Sequence, residues 1–161
     1  MIYATNGAKI YIGAAVEVLG EDVVESDFAS QPWVEIGEAS SIGTLGDTAS
    51  EITFEGLSHS RTRRLKGTRD GGTMELAFGL DAADTGQIAL KAAEKTKDNY
   101  AFRVVMNDAP AGGGTPSERL FAAMVSSATE VLDETNSVMM LNSSLWVNSN
   151  IVRIDAAESG S

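Results

Sequence analysis

Few residues in this chain are equipped for chemistry. Its one histidine, His59, stands between Ser58 and Ser60, and an imidazole beside a hydroxyl is the raw material of nucleophilic or acid–base catalysis. Such a role also needs a pocket and an orienting carboxylate, and nothing in the sequence specifies either. There is no cysteine, which excludes a thiol nucleophile, a thiolate metal site and a disulfide framework together. A second histidine for zinc is missing, and Asp81-Ala82-Ala83-Asp84 offers too few ligands for a calcium loop. Gly112-Gly113-Gly114-Thr115 has the look of a phosphate cradle. No Lys-Ser/Thr follows it, however, and the next segment reads as a strand and not a helix. The reading is therefore no enzyme, no cofactor, and no catalytic or metal-binding residue.

What the chain does carry is charge, unevenly placed. Residues 57–72 hold Arg61, Arg63, Arg64, Lys66 and Arg69 against the single acid Asp70, so the segment is +4 and the remainder −15 in a chain of net charge −11. Residues 20–31 form the counterweight, with Glu21, Asp22, Glu25 and Asp27. The acidic whole argues against a tight grip on nucleic acid, which depends on neutralising phosphates. The basic segment has no interleaved aromatics on which single strands could stack. An acidic partner is at least as good a match for it, and residues 20–31 of a neighbouring copy are one.

The elements that must position these charges are mostly strands. Residues 9–18 place Ile10, Ile12, Ala14, Val16 and Val18 on one side, a period of two. Residues 51–57 alternate Ile52 and Phe54 against Glu51, Thr53 and Glu55. Residues 73–80 set Met74, Leu76, Phe78 and Leu80 against Thr73, Glu75 and Ala77, as in a sheet covered on one side only. Shorter or longer strands are expected over 33–36, 100–106, 119–131, 137–147 and 151–154. One short, Ala-rich helix starts after Asp84, with Gln87 completing a capping-box pattern, and runs to about Lys97. Pro110, the three glycines and Pro116 make 108–118 a loop, and 156–161 reads as a mobile tail.

At 161 residues this is one domain with room for a real core. Hydrophobic residues make up 43%, which places the chain among globular proteins and not disordered ones. No apolar run approaches the ~18–20 residues of a membrane helix. The first six residues lack the basic-then-apolar pattern of a secretory signal.

The order of features is similar to that of a known family. Trp33-Val-Glu-Ile-Gly-Glu-Ala-Ser-Ser precedes Glu51-Ile-Thr-Phe, then a long charged segment ending Lys66-Gly-Thr-Arg-Asp-Gly-Gly-Thr73. An apolar strand, the Gly86-Gln-Ile-Ala-Leu90 helix, Tyr100-Ala-Phe-Arg-Val-Val and a closing Asn148-Ser-Asn-Ile-Val-Arg-Ile154 follow. Over about residues 8–156 this resembles the major tail tube protein of bacteriophages with long, non-contractile tails, the lambda-like family.

The resemblance implies a mainly β fold: a β-sandwich with barrel-like character, one flanking α-helix and a long inter-strand loop, shared with the type VI secretion tube protein. It implies hexameric rings with a common inner β-barrel, stacked into a virion tail tube through which DNA is ejected. The implied partners are copies of itself, tail terminator and tail tip proteins, a tape measure protein in the channel, and DNA in transit. No membrane is involved, and the subunit waits in the host cytoplasm before assembly. Domain boundaries would be 1–156 for the tube domain, with an acidic arm at 20–31, a basic stacking loop at 57–72 and a Gly/Pro loop at 108–118, then a tail at 157–161. No immunoglobulin-like addition, and so no external decoration, is expected.

On this reading Glu51, Glu55 and Glu75 line the channel, and their two strands pair as an antiparallel hairpin. An acidic wall repels phosphate. Arg61, Arg63, Arg64, Lys66 and Arg69 meet Glu21, Asp22, Glu25 and Asp27 between subunits or rings. The other readings are a type VI secretion-like tube and, in a different class, a monomeric β-sandwich binding module. Against the latter, Trp33 and Trp146 are isolated in sequence and do not form an aromatic binding strip.

Overall fold

A computed structural model describes residues 2–58 and 60–159. In chain order the elements are β1 (Lys9–Val16), a 3-10 turn (Glu25–Phe28), β2 (Val34–Glu35), β3 (Ala39–Ser41), β4 (Thr48–Phe54), β5 (Arg63–Asp70), β6 (Thr73–Gly79), α1 (Thr85–Glu94), β7 (Asn99–Val105), β8 (Glu118–Val131), β9 (Met140–Val147) and β10 (Val152–Ile154). The main sheet runs β2-β1-β7-β8-β9-β6-β3, with β10 also on β8, and every pairing is antiparallel.

The sheet folds over β8. Residues 118–124 of that strand pair with β7, whereas residues 123–131 pair with β9, and the register shifts between Val125 and Ser127. A bulge in a long strand is how a sheet turns a corner. The two wings close on one core. Ile10, Ile12, Phe102 and Val104 come from one wing, Met74, Leu76, Phe78, Leu141 and Leu145 from the other, and Phe121, Ala123 and Val125 from β8 itself. Phe102 and Phe121 stack with centroids 5.7 Å apart. The alternation read over 73–80 is thus the burial pattern of β6, and the architecture is the expected mainly β sandwich with one flanking helix.

The helix begins as its sequence predicts. Asp84 is the N-cap, and its carboxylate accepts from the Gln87 N–H at 2.9 Å and the Gly37 N–H at 3.0 Å. The reciprocal half of the capping box does not form. Gln87 is fully buried and turns away: its Oε1 accepts from Asp81 N–H, and its Nε2 donates to the carbonyls of Gly37 and Gly79. It therefore bolts the helix to the ends of β2 and β6. A Cβ on Gly86 would overlap the Glu35 carbonyl, so the helix lies as close to the strand as its small residues allow.

Three expectations need correction. The segment read as a basic loop is largely a strand, β5, and β4 pairs with it and not with β6. Charge had hidden an alternation, Arg63-Leu65-Gly67 against Arg64-Lys66-Thr68, that suits a strand well. The acidic segment at 20–31 is no loose arm. Phe28 of its 3-10 turn is buried against Ala101 and Leu120, and Asn150 clamps Val23 through both its N–H and its carbonyl, at 2.7 and 3.0 Å. The segment is a flap over the outer face of β7 and β8. Finally, residues 156–159 are docked: the backbones of Ala157 and Thr115 exchange two hydrogen bonds.

Candidate assembly surfaces

Among the described residues, the β4–β5 hairpin pairs with no other strand. Register puts Ile52 opposite Leu65 and Phe54 opposite Arg63 on one face. Gly67 belongs to that face too, since a Cβ there would press on Ser50 and Ile52. The other face carries Glu51, Thr53, Arg64 and Lys66, with Arg64 Nε 2.8 Å from Glu51 Oε1. At the root, Gly72 holds φ +74°, a value that favours glycine, and its N–H is held by Asp70. The Gly72 carbonyl accepts from Val147 N–H, so the hairpin leaves the body as a bent continuation of β6. Ile52, Phe54 and Leu65 are 50%, 57% and 62% exposed. A two-stranded hairpin is marginal alone, and this one leaves its apolar face uncovered.

The three glutamates expected to share one wall do not share one hairpin. Glu51 is on β4, paired with Arg64. Glu55 lies just past β4 and accepts from the Thr62 hydroxyl at 3.4 Å. Glu75 is on β6 in the main sheet, where it accepts from the Ser144 hydroxyl at 2.7 Å. Ile52 and Phe54, the apolar side of the alternation over 51–57, stand open, while Met74, Leu76 and Phe78 are buried.

Around Glu75 the outer face of the main sheet is polar and nearly uncharged. Thr73, Glu75 and Ala77 of β6 sit opposite Trp146, Ser144 and Asn142 of β9, which in turn face Met124, Ser127 and Thr129 of β8. Glu75 is the one charge among these nine. Trp146, isolated in sequence, is half exposed here.

The basic and acidic groups are only partly brought together. Glu21 and Asp22 share a cleft of about 800 Å³ with Asp47, Arg69, Asp70 and Arg153. Arg69 Nε lies 3.3 Å from Asp47 Oδ2. Arg61, Arg63, Arg64 and Lys66 lie along the hairpin and do not line that cleft. Glu25 and Asp27 belong to the 3-10 turn, and the Asp27 carboxylate accepts from Val24 N–H. His59 lies outside the described residues.

Two features escaped the sequence reading. Arg103 is stacked between Tyr11 and Trp33, 4.3 and 5.3 Å from the ring centroids, and lies 3.5 Å from Glu118. It ties β7 to Tyr11 of β1, to Glu118 of β8 and to Trp33, just past the flap; a strand over 100–106 did not say what would cover it. Asp108 accepts from the Ser117 hydroxyl at 2.6 Å and the Ser117 N–H at 2.7 Å. Those bonds, the hydroxyl's first, hold its carboxyl below the ordinary carboxylate value. Its work is to close the 108–118 loop. Among the described residues, no three acidic or histidine side chains gather in a way that could hold a metal.

No family model and no curated protein matches the chain. Solved structures do. The sheath/tube terminator of an extracellular contractile injection system, PVC, aligns at TM-score 0.68 and 10% identity, covering 96% of this chain and 97% of that one. The tube-terminating cap of the anti-feeding prophage aligns at 0.63 and 12% identity, over 96% and 93%. The SPP1 tail tube aligns at 0.58 and 15% identity, over 94% and 78%. At such identities the likeness is one of fold, and that fold is the tail-tube sandwich.

Proposed function

We propose that this chain is a structural, non-catalytic subunit of a tail tube, forming stacked hexameric rings around a channel in a virion of the lambda-like, non-contractile class. The observation that carries the reading is the amphipathic hairpin. A tail-tube fold presents two strands with an uncovered apolar face, which a neighbouring subunit would cover. Arg61, Arg63, Arg64, Lys66 and Arg69 then meet Glu21, Asp22, Glu25 and Asp27 of adjacent copies. The polar sheet face bearing Glu75, with Glu51 and Glu55 nearby in the assembled wall, lines the channel. The sheet face itself carries no base for DNA phosphates to hold, whereas the hairpin face that brings Glu51 also brings Arg64 and Lys66. Terminator, tip and tape measure proteins complete the partner set.

Electron microscopy of the purified full chain at rising concentration tests this. Rings or tubes of constant width are expected, and monomers at every concentration would sink it. A tube of a contractile injection system is the second reading, favoured by the PVC and anti-feeding prophage likenesses. Binding of a sheath protein to the purified tubes separates the two.

A further inference from the structure

Resting on the tube reading, we propose that the hairpin's apolar face docks on the acidic flap of a second copy, centred on Leu19, so that the contact is apolar inside and charged only at its rim.

Among the open apolar surfaces of the described residues, two lie apart and suit each other. One is Ile52, Phe54 and Leu65; the other is Leu19, 80% exposed, beside a cavity of about 350 Å³ walled by Val16, Val23 and Phe28. The charges say that these two fit. Residues 48–70 hold five bases against three acids, +2, which leaves −13 for the rest of a chain of net charge −11. Arg63 shares that face, across from Phe54, so the hairpin surface carries positive charge beside its apolar centre. The flap cavity offers Glu17, Glu21, Asp22 and Asp27 with no base on its walls. A nucleic acid would satisfy the arginines but would leave Ile52 and Leu65 facing phosphate and sugar. A second copy satisfies both.

The division of labour follows from magnitudes. Exposed ion pairs add little and are screened by salt, whereas desolvating three large apolar side chains at a repeated contact is not. The acids and bases set orientation and encounter rate, and the apolar centre sets how long the contact lasts.

The chain contains no cysteine, so introduced pairs report cleanly. Ser50→Cys and Glu17→Cys subunits, altered beside the anchors and not on them, are mixed, assembled and oxidised, and cross-linked peptides are read by mass spectrometry. A 50–17 link between copies is expected; a 50–50 link, hairpin on hairpin, would overturn the proposal. Tubes without a 50–17 link keep the tube and remove this contact, whereas the link without tubes keeps the contact and removes the tube. As a second arm, Leu65→Ser is expected to raise the critical concentration for assembly by about tenfold or more with the folding transition unmoved. High salt should raise it by less. The reverse order, salt abolishing assembly and Leu65→Ser leaving it unchanged, would make the contact electrostatic and refute the apolar centre.

Discussion

β4 and β6 are written in the same alphabet. Both alternate apolar with polar residues, both carry a phenylalanine at an apolar position and glutamate at a polar one, and both are seven residues long. Yet Met74, Leu76 and Phe78 are buried while Ile52 and Phe54 stand half in water. Alternation says that a strand has an apolar face; it does not say what covers that face. β6 is covered by the opposite wing of its own sandwich. β4 has no such partner among the described residues, and on the proposed reading its cover is another copy.

If that contrast is right, the two phenylalanines respond differently to the same truncation. Phe78→Ala should cost the subunit about 3–5 kcal/mol in denaturant unfolding, the range for a large buried aromatic. Phe54→Ala should shift the same transition by no more than about 1 kcal/mol, as surface changes do, and should show its effect in assembly instead. Equal losses in unfolding would erase the distinction. Gln87→Ala comes next. It strands the part-buried Asp81 N–H and the Gly37 and Gly79 carbonyls, so a loss of about 2–4 kcal/mol is expected, read from the thermal midpoint.

The arginines of the hairpin, one on each face, sharpen the comparison. Reversing Arg63 and Arg64 to Glu should change subunit stability by about 1 kcal/mol at most. Sedimentation of the double variant should still show impaired tube growth. Normal growth would remove the arginines from the interface. Lysine at Glu51, Glu55 and Glu75 tests the wall: retention of DNA in preformed tubes should rise and should fade as salt screens it. Unchanged retention at low salt would place those residues away from the channel.

The smallest effect is at Asp108. Its folded-state pKa is lowered, so the stability it lends is present above its ordinary value of 3.8 and fades as pH falls through the folded value. Asp108→Asn should flatten that acid limb by lowering the melting temperature slightly at neutral pH, with the two chains converging at low pH. A limb identical to that of the parent chain would show that the Ser117 bonds do not couple to folding.

Most of the body was legible because its segments needed only a local pattern. The β6 and β9 faces follow from period two, and the helix start follows from Asp84. What was not legible depended on distant partners. β5 looked like a loop because long basic side chains mask an alternation with only Leu65 as its large apolar member. The pairing of β4 with β5 could not be told from a pairing with β6, since both strands present one apolar face. Gln87 was read as half of a local cap, but three backbone groups gathered from elsewhere compete for its amide. Arg103 makes sense only once β1, β7 and the flap are side by side. Of the candidate contact residues, the sequence revealed which bear charge, whereas the open apolar face beside them came from the fold.

β8 belongs to both wings at once, bonded to β7 and β10 at one end and to β9 at the other. In a tube under tension or bending, load entering at the wall formed by β6 and β9 would pass to the flap side along one covalent backbone. It would not have to cross an interface of side chains that can slide. The strand acts as a keel. On the proposed tube reading, a subunit built around it would deform as a single beam, and strain applied to the face of β6 and β9 would be felt at the flap.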